Sequence, residues 1–81
     1  MSRLLAMVEC RIAPAMRQDY LAGIGARTVD AASSGAHFWV FEHAADSGRF
    51  LEFTEAGSEE ALRSASEEGA SAGVWREVKG A

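Results

Sequence analysis

The sequence predicts an α+β fold in which four strands and two helices follow one another in the order βαββαβ. Four stretches with alternating side-chain character indicate the strands, and two stretches with apolar residues every three or four positions indicate the helices. No repeat or change of composition divides the 81 residues, so residues 1–81 are expected to form one domain.

The first part of the chain predicts a strand and then a long helix. The segment Leu4–Ile12 alternates, with apolar side chains at its even positions, and Pro14 ends it. From about residue 15 to residue 32, apolar residues recur at spacings of three and four, which is typical of a helix with one apolar face. Gly23 and Gly25 lie inside this helix, and we expect them to permit a close approach of the helix to the sheet.

The centre of the chain predicts a β-hairpin. One strand is expected over residues 37–44 and another over residues 49–55, with the turn letters ADSG between them. A loop over Asp46–Gly48 would set Phe41 opposite Phe53 and would keep the apolar faces of the two strands together.

The two faces of this hairpin carry different side chains. Glu42 would lie opposite Glu52 on one face, where like charges repel, and Arg11 of a neighbouring first strand could neutralise them. The other face carries Trp39 and Phe41, which are expected to pack against the helices as part of the core.

The last part of the chain predicts a second helix and a final strand. Ser58 is a suitable N-cap, and the acidic residues after it favour the positive end of a helix dipole, so a helix is expected to about Glu68. The letters VWREV, residues 74–78, alternate like a strand. With both helices on one face of an antiparallel sheet, the element order describes a ferredoxin-like sandwich.

A sheet covered on one side leaves its other face bare, and the sequence supplies apolar side chains for that face. Exposing them to water would be costly, so we expect a homodimer. The apolar side chains expected there are Leu5, Met7, Phe38, Val40 and Phe50.

Charge and cysteine content exclude several classes of protein. Acidic residues exceed basic ones by 12 to 8 and the basic residues are scattered, so nucleic-acid binding is not expected. The single cysteine, Cys10, cannot form an internal disulfide, and no apolar run is long enough to cross a membrane. We therefore expect a cytoplasmic protein.

Two histidines flank the aromatic segment HFWVFEH and raise the question of a metal site. In a strand, six residues of extended chain would separate the Cα atoms of His37 and His43 by roughly 20 Å, too far for one metal ion. Cys10 lacks a ligand partner at metal-site spacing, and on the inward face of a strand we expect it to be an unreactive core thiol. No metal and no other cofactor are expected.

The segments PAMRQDYLAGI, SSGAHFWVFEH and SGRFLEFTEAGSEEAL carry a resemblance to a known family over nearly the whole chain. They resemble the antibiotic-biosynthesis monooxygenase-like members of the dimeric α+β barrel superfamily. The resemblance implies a homodimer in which the open faces of two sheets meet, with a small-molecule pocket between each sheet and its helices. It does not extend to haem degradation, because the last third of the chain has no histidine to ligate haem.

The resemblance implies a cofactor-independent monooxygenase or isomerase that acts on a small aromatic or polyketide-like molecule. In such an enzyme His37 or His43 would move the proton, because imidazole is the side chain that titrates near neutral pH. The ligand would bind to the aromatic side chains Tyr20, Trp39, Phe41, Phe53 and Trp75. The alternative is a non-catalytic dimer of the same fold that binds a small hydrophobic ligand or serves as a structural partner.

Overall fold

The structure, a computed structural model, describes residues 3–65 and 73–80. Its elements are strand β1 (Leu4–Arg11), a short 3₁₀ turn (Pro14–Met16), helix α1 (Arg17–Ser33), strands β2 (His37–Glu42) and β3 (Arg49–Ala56), helix α2 (Glu59–Ala65) and strand β4 (Trp75–Arg76). The strands form one sheet in the order β2-β3-β1-β4, and every neighbouring pair is antiparallel. The α+β class and the order βαββαβ are therefore confirmed, and the architecture is broadly compatible with a ferredoxin-like fold.

The ends of the elements agree with the sequence prediction in part. Ser58 caps α2 as expected, because its hydroxyl accepts a hydrogen bond from the backbone N–H of Ala61 at 3.1 Å. The final strand is shorter than predicted, since only two of its residues pair with β1. The expected end of α2 at Glu68 lies outside the described residues. Neither described helix is long and apolar enough to span a membrane.

Both helices pack against one side of the sheet, which we call the inner face. Its side chains are those of Leu4, Ala6, Val8, Cys10, Phe38, Val40, Glu42, Phe50, Glu52, Thr54 and Ala56. The buried apolar core joins this face to α1 through Ala31 and to α2 through Leu62. Much of this core is alanine, and such small side chains let the helices lie close to the strands.

The hairpin of β2 and β3 is oriented opposite to the expectation. Phe38 and Phe50 are buried beneath the helices, whereas Trp39 and Phe41 lie on the uncovered side, which we call the open face. Alternation did not reveal this, because both faces of the hairpin carry aromatic side chains. The orientation of the hairpin follows from charged groups on α1, whose partners are the carboxylates of β2 and β3.

The register of the hairpin also differs from the expected one. Phe41 lies opposite Leu51 instead of Phe53, and Glu42 lies opposite Phe50 instead of Glu52. The predicted repulsion between two glutamates in a cross-strand pair is therefore absent. Arg11 cannot neutralise them, because it lies on the open face and forms an ion pair with Asp46 at 2.8 Å.

The glycines of α1 do not permit a close approach, which corrects the interpretation made from the sequence. A Cβ atom at Gly23 or Gly25 would have no atom within 4 Å beyond its own neighbourhood. Gly48 is different, because it has a φ of 87° and its Cβ would stand 2.8 Å from the carbonyl oxygen of Ile12. Both the backbone conformation and the space require glycine at this turn.

We expect Gly48→Ala to lower the free energy of unfolding by about 1–3 kcal/mol, because alanine is strained at this φ and would collide with the backbone of Ile12. The matched control is Gly25→Ala, which should raise the free energy of unfolding by about 0.5–1 kcal/mol, because the position is helical and has space for a methyl group. Urea unfolding followed by circular dichroism measures both. Equal effects of the two substitutions would contradict the proposed role of Gly48.

Candidate functional site

The residues predicted to form one site lie on two sides of the sheet. Tyr20 belongs to α1 and reaches the inner face, where its hydroxyl contacts Glu52. The remaining strand residues of the predicted set lie on the open face: His37, Trp39, Phe41, Phe53 and Trp75. His43 lies in the turn after β2, where its Nδ1 accepts a hydrogen bond from the N–H of Ala45 at 3.1 Å. Tyr20 therefore cannot share a pocket with the other aromatic residues within one chain.

The open face carries a cluster of ordered aromatic side chains. The imidazole of His37 stacks on the indole of Trp39, with ring centroids 5.8 Å apart and an angle of 20° between the planes. Phe41 meets Phe53 edge to face at 5.4 Å. Trp39 was expected in the core, yet it is 44% exposed, and Phe41 is 59% exposed. These rings contact one another but are not covered by the described chain.

Further apolar side chains continue this cluster across the sheet. Leu5, Met7 and Leu51 lie on the same face and are partly buried, and Trp75 of β4 lies opposite Leu5 and is 60% exposed. The apolar area thus extends over all four strands.

Ion pairs border the apolar area at both ends of the strands. At the hairpin end, Glu9 pairs with Arg49 and Arg11 pairs with Asp46. At the other end, Arg3 lies 3.4 Å from Glu55. Each border therefore combines both signs of charge, and the apolar side chains lie between them.

The open face does not bring the two histidines together. His37 begins β2 and His43 follows its end, as the spacing in the sequence predicted. In the cross-strand ladder His37 lies opposite Glu55. Among the described residues, no group of three or more His, Cys, Asp and Glu side chains could hold a metal ion.

A second cluster lies on the inner face around the carboxylate of Glu52. Glu52 is only 6% exposed, and it accepts two hydrogen bonds from Arg27 at 2.8 and 3.0 Å and one from the Tyr20 hydroxyl at 2.6 Å. The Cys10 thiol lies 3.8 Å from both Glu52 and Tyr20. The Arg27 guanidinium also covers the ring of Phe38, at 4.4 Å from its centroid.

These contacts fix the protonation of the cluster. Burial by itself raises the pKa of Glu52, but the hydrogen bonds from Arg27 and Tyr20 outweigh it and leave the pKa below its ordinary value. Burial, together with the hydrogen bond to Glu52, raises the pKa of Tyr20. Burial also raises the pKa of Cys10. At neutral pH the cluster therefore holds a charged carboxylate, a neutral phenol and a neutral thiol, and the thiol is not activated as a nucleophile.

A second ion pair joins α1 to the sheet closer to the start of the helix. Arg17 binds both carboxylate oxygens of Glu42, and Gly48 donates its backbone N–H to the same carboxylate at 2.9 Å. The hydrogen bonds from Arg17 and then from Gly48 lower the pKa of Glu42 to about 2. The Arg17 guanidinium lies 5.6 Å from the centroid of the Phe50 ring.

The inner cluster could have been found in the sequence. A stripe with spacings of three and four residues contains Arg17, Tyr20, Ile24, Arg27 and Ala31. The apolar spacing that predicts the helix includes Tyr20, Ile24 and Ala31, and the two arginines lie at the same spacing. Arginines on the sheet-facing side of a helix favour carboxylates on the sheet, and the glutamates at even positions of β2 and β3 supply them.

Several clefts are lined by described residues. One of about 240 Å³ lies beside Arg3, Leu5 and Trp75 at the β1–β4 edge, and another of about 200 Å³ lies beside Phe41 and His43 at the hairpin end. Both are smaller than the roughly 300–1,000 Å³ of common small-molecule sites, so neither one is by itself a formed ligand pocket. A further cleft of about 380 Å³ is lined by the charged side chains of Glu9, Arg11 and Arg49 and by Cys10.

Comparisons with known proteins add no family assignment. No protein-family model matches the chain, and no curated protein or solved structure is similar to it. Function is therefore inferred from the chemistry of the two faces of the sheet.

We expect stability to fall as the pH decreases from about 4.5 towards about 2. Glu42 and Glu52 have lowered pKa values in the folded chain, so the unfolded chain takes up their protons first and acid favours unfolding. Glu52→Gln should cost about 2 kcal/mol at neutral pH, because a buried acceptor of charged hydrogen bonds is lost, and should make the fall in acid shallower.

The measurement is urea unfolding across this pH range, with Glu9→Gln as the control. Glu9 also pairs with an arginine but is exposed, so its substitution should cost less than about 1 kcal/mol. A pH profile that is the same in wild type and Glu52→Gln would contradict the assignment.

Proposed function

We propose that this chain is a homodimeric, non-catalytic domain whose open sheet face is covered by a second copy, and that it serves as a structural or small-ligand-binding unit. The observation that supports this proposal is the aromatic open face. Single exposed apolar residues are common on protein surfaces, but a continuous patch of tryptophan, phenylalanine and leucine across a sheet indicates an interface.

The pattern of the open face fits a second copy of the same chain. A twofold axis that lies between the two faces and runs across the strands places each end of one face against the opposite end of the other. Since ion pairs lie at both ends and apolar side chains lie between them, the rotation brings apolar centre against apolar centre and polar border against polar border. An apolar centre with a polar rim is the common anatomy of a stable interface.

The size of the open face is close to what an interface requires. The strands contain eight, six, eight and two residues, and at about 3.3 Å per residue and about 4.8 Å per strand they cover a projected area of roughly 380 Å² per copy. Two copies would therefore cover roughly 800 Å² in projection, and side-chain relief raises the accessible area that they bury towards the roughly 1,000 Å² of a specific interface. The family resemblance implies the same sheet-to-sheet arrangement, the dimeric α+β barrel.

The protonation of the inner cluster supports a domain without catalysis. Glu52, the buried carboxylate, is already bonded by Arg27 and Tyr20, and the Cys10 thiol is neutral. A general base must reach the proton that it removes, and the Glu52 carboxylate is buried and held by Arg27 and Tyr20.

The second candidate is a cofactor-independent monooxygenase or isomerase acting on a small aromatic or polyketide-like molecule. The observation that favours it is the stacking of His37 on Trp39, because a second copy over this face would enclose an imidazole beside aromatic rings. In this case we assign the proton transfer to His37, because it stacks on Trp39, whereas His43 lies in the hairpin turn.

We expect the wild-type chain to be a dimer in light scattering at micromolar concentration. Trp39→Glu or Phe41→Glu should weaken self-association by at least about 30-fold, because each places a charge in the apolar centre of the interface. Val29→Glu is the control, since Val29 is 69% exposed on α1 and lies away from the open face. A monomeric wild type, or an equal effect of Val29→Glu, would contradict the proposed interface.

Turnover of aromatic polyphenols under O₂ distinguishes the two candidate functions. The proposed binding function predicts no turnover, and ligand affinity measured by tryptophan fluorescence should be nearly unchanged in His37→Gln. The enzyme candidate predicts turnover that falls about 10²- to 10⁴-fold in His37→Gln and is retained in His43→Gln, the control. If wild-type turnover persists in both variants, neither histidine transfers the proton.

A further inference from the structure

The N-terminal half of α1, residues 17–22, and its C-terminal half, residues 24–33, contact the sheet through different kinds of side chain. In the C-terminal half, Ala31 is buried in the apolar core and Ile24 packs against it. In the N-terminal half, no residue from Arg17 to Ala22 is buried, and the preceding 3₁₀ turn has no buried residue either. The N-terminal half is held mainly by the ion pair of Arg17 with Glu42 and by Tyr20, which bonds Glu52 and packs on Phe50 with ring centroids 4.7 Å apart.

The two halves meet at a weak point of the helix. Gly23 and Gly25 lie at the boundary between the half that is held by Arg17 and Tyr20 and the half that is held by the apolar core. Glycine in a helix interior lowers the stability of the helix by up to about 1 kcal/mol relative to alanine. Neither glycine is required by close packing, since no atom lies within 4 Å of a Cβ at either position. The helix can therefore change direction here without a collision.

The N-terminal half covers chemically distinct groups. The phenyl ring of Phe50, which is buried, lies beneath Tyr20 and Arg17. The carboxylate of Glu52 lies beside it. Arg27 follows the glycines along the chain, so its ion pair with Glu52 does not depend on the position of the N-terminal half.

We propose that residues 14–22 form a lid that pivots at Gly23 and Gly25 and uncovers the inner face at Phe50. Opening breaks the contacts of Arg17 and Tyr20 with the sheet, whereas Arg27 and Ala31 hold the second half of α1 in place. The lid lies on the side opposite the proposed dimer interface, so the proposal does not depend on dimerisation.

Amide hydrogen exchange measured by NMR on the full chain tests the lid. The N–H of residue i in an α-helix bonds the C=O of residue i−4, so the amides of residues 24–26 bond residues 20–22 across the pivot. After correction for intrinsic rates, these amides should exchange at least about 10-fold faster than those of residues 29–32, and low urea concentrations should hardly change the faster rates. Arg17→Ala should raise the rates of residues 24–26 by a further factor of about 5 and leave residues 29–32 unchanged.

Two further variants separate a lid from fraying of the helix end. The double variant Gly23→Ala/Gly25→Ala should reduce the difference between the halves to less than about 3-fold, because it stiffens the pivot. Arg11→Ala, which loses an ion pair on the open face, should change neither half.

Uniform exchange along α1 would overturn the lid. A gradual rise towards the N-terminus that the double variant leaves unchanged would also overturn it, as this is the pattern of fraying. An equal effect of Arg17→Ala on both halves would show that the helix opens as one unit, and this too would exclude the lid.

Discussion

The structure depends on one buried carboxylate. Glu52 lies in the middle strand pair of the sheet and is almost fully shielded from water, so its charge requires partners. Arg27 and Tyr20 provide them from α1, and this requirement fixes how the helix crosses the strands. It also fixes the orientation of β3, since Glu52 must face the helix. Every second residue of β2 and β3 then faces the helices, and Trp39 and Phe41 are directed to the opposite side.

The two faces of the sheet consequently differ in how far the chain itself covers their side chains. On the inner face, each glutamate forms an ion pair with an arginine of α1. Phe38 and Phe50 are covered by these arginine side chains as well as by apolar ones. On the open face, aromatic rings contact one another but remain exposed to solvent. An unpaired buried charge costs more than an exposed ring, which explains why the chain satisfies the charges of the inner face by itself and leaves the rings of the open face exposed.

The first half of α1 is held to the sheet by an ion pair and by Tyr20. An ion pair between partly exposed side chains contributes little to stability, and the side chains of Arg17 and Glu42 are 40% and 27% exposed. This pair holds a helix segment without a buried residue, next to two glycines that lower its helical propensity. The arrangement favours a segment that separates from the sheet while the core around Ala31 and Leu62 stays intact.

The sequence by itself determined the order of the elements, the two faces of β1 and the N-cap of α2, because these depend on local periodicity and on hydrogen bonds within a few residues. It did not determine which face of the hairpin is buried. Alternation is symmetric between two faces that both carry aromatic rings, and a shift of the register by two residues leaves the faces unchanged. Only the tertiary structure decided this point, because the partners of Glu42 and Glu52 are arginines 25 residues away on a helix. Burial of a charge is decided by such distant partners, which no local pattern contains.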